Sequence, residues 1–306
     1  MDVTFRQAGR RLDLALALKD EGDFAGAREA ADAACALAPA WVDAWFVLAE
    51  TCEQLRAGDD AISAYRRCLT IDPADRFGAA ARLAMMGAAA TPTRLPAAYV
   101  TALFDGVAAR FEESLLGRLD YRVPQLLYEA VNDHRDRLPS PLAILDFGCG
   151  TGLAGEVFRP LAQRLDGVDL SPRMIDEAAR KNIYDSVRTG DLLQKPDAAA
   201  PRYGLVIAAD VFNYLGDLRP AFGAAASWLV AGGMLAFTIE EGATDPFDLG
   251  PGQRYQHDAA AVRAKLSASG FRLLDDREAL LRLERREPVR GRILLATLEP
   301  KIPRAR

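Results

Sequence analysis

The chain has 306 residues, more than one hydrophobic core ordinarily organises, so two domains are expected. Half of its residues are hydrophobic and 26% are charged, the balance of a folded soluble protein rather than a disordered tail. A net charge of -5 argues against nucleic acid as the main partner, because phosphate backbones are held by massed Lys and Arg. No apolar run approaches the roughly 20 residues that cross a bilayer, the best being the broken stretch 229–239, and the first residues lack a continuous apolar export segment. A cytoplasmic protein with no membrane or nucleic-acid partner is the expectation. Cys35, Cys52, Cys68 and Cys149 show no CxxC spacing and His134 and His257 are the only histidines, so no metal site is expected and the thiols read as reduced and buried.

The first part of the chain repeats itself. Ala27, Ala34 and Pro39 recur as Ala61, Cys68 and Pro73, each displaced by 34 residues, and Leu14-Ala15 maps onto Leu48-Ala49 at the same offset. Small residues at fixed points let antiparallel helices approach closely, and the closing prolines stop the second helix of each pair. With Trp45, Leu48, Ala61, Tyr65, Cys68 and Pro73, the second copy resembles the tetratricopeptide repeat. The first copy departs from it, with Arg11 and Ala31 where aromatics are usual. Residues 76–85 read as a further helix capping the stack, so residues 1–88 form a short helical solenoid. Such a solenoid serves as a lid, as a surface for self-association, or as a groove for a protein partner. Residues 89–98, containing Thr91-Pro92-Thr93-Arg94-Leu95-Pro96, form a linker.

Residues 99–306 form the second domain, opening with a helical stretch, 99–140, whose Tyr99, Phe104, Phe111 and Tyr121 either cover a site as a lid or fill a core. From Leu142 the pattern is strand, glycine loop, helix: Leu142-Ala143-Ile144-Leu145-Asp146-Phe147-Gly148-Cys149-Gly150-Thr151-Gly152, then Leu153 to Phe158. An acid, Asp169, follows 19 residues after Gly150 at the end of a second strand, where a carboxylate accepts hydrogen bonds from ribose hydroxyls. The dinucleotide pattern GxGxxG is not met, since Leu153 stands where its third glycine belongs, and NAD is disfavoured. The run from Asp146 to Gly152 is instead similar to the DxGxGxG motif of class I S-adenosylmethionine-dependent methyltransferases, and Val168-Asp169-Leu170-Ser171-Pro172-Arg173-Met174 resembles their second motif.

That resemblance implies a doubly wound α/β domain with seven strands in the order 3-2-1-4-5-7-6, the last two antiparallel. It also implies that S-adenosylmethionine is bound by Asp146, Gly148, Gly150, Gly152, Asp169, Leu170, Met174, Asp191, Leu192, Asp210 and Val211. Asp191 stands at the adenine position after a third strand at 187–189, and Asp210 follows the fourth strand, facing the ligand crevice. The fifth strand follows Gly232-Gly233, a helix is expected at 259–269, and the sixth and seventh strands at 271–274 and 291–298. A narrower resemblance, to predicted bacterial methyltransferases that carry tetratricopeptide repeats, rests on Phe104-Asp105-Gly106, Leu119-Asp120-Tyr121, Arg254-Tyr255-Gln256-His257-Asp258, Leu281-Arg282-Leu283-Glu284 and Pro288-Val289-Arg290-Gly291. It transfers a reaction class and no substrate.

A sulfonium methyl group is already activated, so the protein must chiefly align donor and acceptor and exclude water. No metal or protein nucleophile is needed. A general base serves only a protonated acceptor, and the candidates are His257 first, then Tyr214 and Glu240, with Tyr255 also near the crevice. Asn213-Tyr214-Leu215 replaces the hydrophobic-His-His turn of many relatives, which excludes a histidine role there. Cys149 reads as a small residue that a tight turn admits. The reading is methyl transfer to a small-molecule acceptor with S-adenosylhomocysteine released. The alternatives are a protein methyltransferase whose repeats recruit the polypeptide, and a scaffold that binds the cofactor without turnover.

Overall fold

The computed structural model describes residues 3–113, 121–243, 245–250, 252–284 and 287–300. Contacts divide the chain into two units, Met1–Tyr99 and Val100–Arg306. In the first, α1 (Val3–Asp20), α2 (Phe24–Leu37), α3 (Val42–Gln54), α4 (Gly58–Ile71) and α5 (Ala79–Met85) pack each against its neighbour in sequence. The repeated positions Ala27, Ala34, Ala61 and Cys68 are buried along with Ala8, Ala15, Ala31, Ala44 and Ala49. These short side chains let the helices close on one another at the density of a protein interior. Asp23 caps α2 by accepting from the Gly26 amide at 3.0 Å. The helix expected at 76–85 starts later, at Ala79, because Gly78 takes φ 75 and Asp75 accepts from the amides of Ala79 and Ala80 at 2.7 and 3.0 Å. Phe77 nevertheless joins the stack, its ring 5.0 Å from Phe46.

The second unit is built on a twisted sheet. Its strands are β1 (Ala143–Phe147), β2 (Arg164–Asp169), β3 (Ser186–Thr189), β4 (Tyr203–Ala208), β5 (Leu229–Glu241), β6 (Phe247–Leu249), β7 (Tyr255–His257), β8 (Phe271–Glu284) and β9 (Glu287–Leu298). The main order is β3-β2-β1-β4-β5-β9-β8. The first five strands run parallel, and β9 is antiparallel to both β5 and β8. The expected order is met, with β8 and β9 as the sixth and seventh strands. Ile144 on β1 faces one core with Val123, Leu127 and Phe158, while Leu145 faces the other with Phe222, Trp228 and Val262. Helices α7 (Val123–Asn132) and α8 (Leu153–Phe158) supply the first layer, and α10 (Arg219–Trp228) and α11 (Ala259–Ala268) the second. All six residues of β4 are buried, the mark of a central strand covered on both faces.

Two features differ from the expectation. A short hairpin, β6 and β7, was not legible in the sequence: β7 pairs parallel with Glu240 and Glu241, on the side of β5 that β4 leaves after Ala208. The β8–β9 hairpin is also much longer than the two four-to-eight-residue runs suggest, and it continues to the Glu284–Glu287 pair, past the last β5 partner at Glu240–Gly291. It therefore overreaches the C-terminal edge of the sheet, where ligands of doubly wound folds lie. Helices α6 (Ala97–Val107) and α9 (Pro172–Arg180) complete the unit. Of the expected lid, 114–120 lies outside the described residues, as do Leu119 and Asp120 of the narrower resemblance. Among the described residues no helix is long and apolar enough to cross a membrane.

Candidate functional site

The chain leaves β1 through a loop that only glycine accommodates. Gly148, Gly150 and Gly152 take φ of 64, 52 and 96. A Cβ on Gly148 would lie 2.7 Å from Val211 Cγ2, so the turn after β4 is packed directly against the loop. The amides of Gly148 and Cys149 donate to the Val168 carbonyl at 2.8 and 3.1 Å, tying the loop to β2. Beside Gly150 the space is open, since a Cβ there would meet only Phe111, at 4.0 Å.

Asp169 closes this arrangement. One carboxylate oxygen accepts from the Gly150 amide at 2.9 Å and the other from the Ser171 amide at 2.8 Å. Each oxygen keeps a further lone pair for a ligand hydroxyl. Burial raises the Asp169 pKa, and the two amides act against that rise. Ser171 then caps α9 through the Met174 amide at 3.1 Å, and Met174 itself is wholly buried. The neighbouring Leu170 is half-buried, its carbonyl accepting from Thr101 of α6 at 3.5 Å. Asp191, after β3, accepts from the Leu193 amide at 2.9 Å, and Leu192 packs against the core. The Gly190 amide donates to the Asp169 carbonyl at 2.8 Å, which sets the ends of β2 and β3 side by side.

Asp146 lies beneath the loop rather than in an open crevice. It is 1% exposed, and one oxygen accepts from the Tyr184 hydroxyl at 2.7 Å. Desolvation lifts its pKa to about 7, with the Tyr184 hydrogen bond opposing that shift. Tyr184 escaped sequence reasoning, although Gly155 carried a trace of it: a Cβ at Gly155 would lie 2.2 Å from the Tyr184 hydroxyl. Cys149 is buried, and burial pushes its thiol pKa well up, as befits a residue chosen for size. The other three cysteines are free and buried as well.

At the ends of β4 and β5, Asp210 and Glu240 come together around an arginine that the sequence did not single out as a site residue. Arg282, on the overreaching part of β8, has a side chain 1% exposed, and its Nη1 donates to both carboxylate oxygens of Asp210 at 3.0 Å. Its Nη2 donates to Glu240. Asn213 donates to Asp210 and to Glu240, both at 3.1 Å. Asp210 itself has φ 60, a left-handed conformation costing an L-residue roughly 1 kcal/mol, and its amide donates to the Thr238 hydroxyl at 3.0 Å. Arg254 pairs with Glu284 at 2.7 Å and hydrogen-bonds the Tyr214 hydroxyl. The Tyr214 ring meets Phe104 at 5.3 Å, and Phe104 meets Phe111 at 5.9 Å. A buried arginine in Leu281-Arg282-Leu283 leaves no periodic signal, because its partners come from strands far away in sequence.

The three candidate bases fare differently. His257 is wholly buried, its Nε2 hydrogen-bonded to the Leu215 carbonyl at 2.8 Å, and desolvation lowers its pKa to about 4. A neutral imidazole donating to a backbone carbonyl ties β7 to the turn after β4; it does not open onto the crevice. The helix that follows is capped by Asp258, which accepts from the Ala261 amide at 2.6 Å. Glu240 is buried, and Arg282 and Asn213 both donate to its Oε1. Tyr214 is half-buried, and burial raises its pKa while Arg254 opposes the rise. Tyr255 is buried, its ring 5.6 Å from Phe247.

The methyltransferase-domain family matches residues 145–235, the span from β1 through the glycine loop to β5. The tetratricopeptide-repeat family matches residues 42–75. A malonyl-[acyl-carrier protein] O-methyltransferase of Halalkalibacterium halodurans is 31% identical over 194 residues, covering 60% of this chain and 64% of that protein. A trans-aconitate 2-methyltransferase of Pseudomonas aeruginosa is 38% identical over 99 residues, 31% of this chain and 35% of that protein. The chain thus spans less than two thirds of the length of these curated relatives. Among solved structures, a S-adenosylmethionine-dependent methyltransferase from Clostridium acetobutylicum superposes with a TM-score of 0.48 at 19% identity, over 63% of this chain and 98% of that one. From the strand order and the two family matches, the chain carries a class I Rossmann-like methyltransferase domain behind a tetratricopeptide-repeat region.

Proposed function

We propose that the chain is an S-adenosylmethionine-dependent methyltransferase acting on a small-molecule acceptor. The observation that carries this reading is the glycine loop fastened to Asp169 through the Gly150 amide, with open space beside Gly150. Gly148, Gly150 and Gly152 let the backbone approach the methionine part of the cofactor, Asp169 takes the ribose hydroxyls, and Asp191 and Leu192 take the adenine end. Leu170 and Val211 line the bed. Asp146, through Tyr184, and Met174, within α9, support it from beneath, and Asp210 with Arg282 bounds the acceptor side. When bound, the sulfonium supplies an activated methyl group, whose carbon–sulfur bond breaks as the bond to the acceptor forms, leaving S-adenosylhomocysteine. Phe104, Phe111 and Tyr214 keep water from the line of transfer, and Tyr214 is the hydroxyl placed to relay a proton from a protonated acceptor.

Two of the relatives are named for acids, a malonyl thioester and trans-aconitate, and here Arg254 beside Tyr214 offers a guanidinium on the acceptor side. Small carboxylic acids are therefore the first acceptors to assay. The test uses methyl-labelled cofactor with a metabolite extract. Label in the low-mass fraction supports the reading, and label only in polypeptide favours the alternative in which the repeats recruit a protein. That alternative has its own support in the tetratricopeptide match at 42–75. The repeats also hold a cavity of about 320 Å³ lined by Phe5, Pro39 and Trp41, a surface for a protein partner or for self-association. A scaffold without turnover would show cofactor binding and no label in either fraction. Four free, buried cysteines suit a reducing compartment, and we assign the chain to the cytoplasm.

A further inference from the structure

Arg282, on the overreaching part of the β8–β9 hairpin, meets the turn after β4 that borders the proposed methyl-donor site. Arg282 is among the largest fully buried residues, and its guanidinium fork takes both oxygens of Asp210 on one nitrogen and Glu240 on the other. Asp210 is the residue at φ 60 that turns the chain after β4, and the next residue, Val211, is the one against which Gly148 is packed. A continuous set of contacts thus runs from Arg282 through Asp210 and Val211 to the glycine loop. Without a cation here, the buried carboxylate of Glu240 and the half-buried one of Asp210 would share Asn213 at 3.1 Å from each.

We propose that Arg282 is a positioning residue for the methyl donor: it holds the Asp210–Val211 turn in the conformation that seats the glycine loop, its guanidinium bridging Asp210 and Glu240. This rests on the cofactor reading given above. The charged and titratable groups that face the cluster are Asp210 from the turn after β4, Glu240 from β5, Tyr214 from the following short turn, Arg254 from the segment before β7, Glu284 from β8 and Tyr121 ahead of α7. Among the described residues Arg254 is the other cation facing the cluster, and its own partners are Glu284 and Tyr214. It leaves the fork on Asp210 and Glu240 to Arg282.

Calorimetry with S-adenosylhomocysteine on the full chain tests this, comparing wild type, Arg282→Met and Arg282→Lys at about pH 6 and about pH 8. Arg282→Met should weaken binding at least about tenfold at the higher pH and distinctly less at the lower, where Asp210, whose pKa burial already raises, takes up a proton in place of the lost cation. Arg282→Lys keeps the charge and loses the fork, so its loss should be about threefold to fivefold and equal at both pH values. Taking each variant as a ratio to wild type removes the ligand's own titration. A loss for Arg282→Met that is the same at both pH values would mark a structural role only and overturn the proposal, as would wild-type affinity throughout. Should Arg282→Met fail to fold, Arg282→Lys decides, with wild-type affinity overturning the proposal and the expected loss supporting it. Absence of binding by wild type would instead reject the cofactor reading, and this proposal with it.

Discussion

The repeat unit and the sheet unit hold themselves together in opposite ways. In the repeats the buried side chains are mostly alanine, each helix packs on its sequence neighbours, and the buried polar groups Thr51 and Asp75 are hydrogen-bonded to backbone. In the sheet unit Asp146, Glu240, His257 and Arg282 are all buried, and partners meet across long stretches of sequence, as in the pairing of Met234 with Thr297. Burying charge is costly unless it is paired, and here Arg282 is matched by Asp210 and Glu240, and Asp146 by the Tyr184 hydroxyl. The alanine-packed unit carries no comparable burden.

The contrast can be broken most directly at the tightest contact of the glycine loop. Gly148→Val adds a branched side chain where Val211 already stands and forces φ 64 on a β-branched residue. Loss of S-adenosylhomocysteine binding by about 100-fold or more is expected by calorimetry, equivalent to roughly 3 kcal/mol. Next in size is Asp169→Ala, which removes the acceptor of the Gly150 and Ser171 amides and of the ribose hydroxyls. Binding should weaken by about 1.5 to 3 kcal/mol in a folded variant, and an unchanged dissociation constant would reject that role for Asp169.

A change of similar energy in the repeats should do the reverse. Ala34→Leu overfills a wholly buried position between helices and should lower stability by about 1 to 3 kcal/mol in thermal melts. The dissociation constant for S-adenosylhomocysteine should stay at its wild-type value, and a parallel loss of binding would show that the two units are not functionally separable.

The smallest expected effect is the net pH dependence of wild type, where two buried groups of the sheet unit oppose one another. Asp146 has its pKa raised to about 7 in the fold, so it favours the folded state at low pH and that contribution is lost as pH rises from about 4 to 7. His257 has its pKa lowered to about 4, so its contribution is present above about 6.5 and lost as pH falls toward 4. Each acts with a slope of up to about 1.4 kcal/mol per pH unit, and in wild type they oppose one another. Melting curves across this range should therefore be flattest for wild type. Asp146→Asn should leave stability falling toward acid, and His257→Gln should leave it falling toward neutrality.

Legibility followed the same division. The helical repeat was readable from spacing because its contacts are local: Ala27 and Ala61 declare the period, and the helices form around them. The glycine loop was readable because glycines at φ 64, 52 and 96 leave a residue-level trace, and the strand order followed from the family resemblance that this loop carries. His257 misled because sequence reveals a histidine but not its desolvation, and the β7 strand that buries it is three residues long. Arg282 and Tyr184 were invisible as site residues for a related reason. Their partners, Asp210 and Asp146, are reached only once the sheet has assembled, 72 and 38 residues away in sequence.

The central claim is that the loop after β1 is built for the methyl donor and not for a dinucleotide. Calorimetric titration of the full chain with S-adenosylhomocysteine and, separately, with NAD tests it most directly. Saturable one-to-one binding of S-adenosylhomocysteine with no heat from NAD is the predicted result, since Leu153 stands where the third glycine of a dinucleotide loop belongs. Binding of NAD without binding of S-adenosylhomocysteine would contradict it.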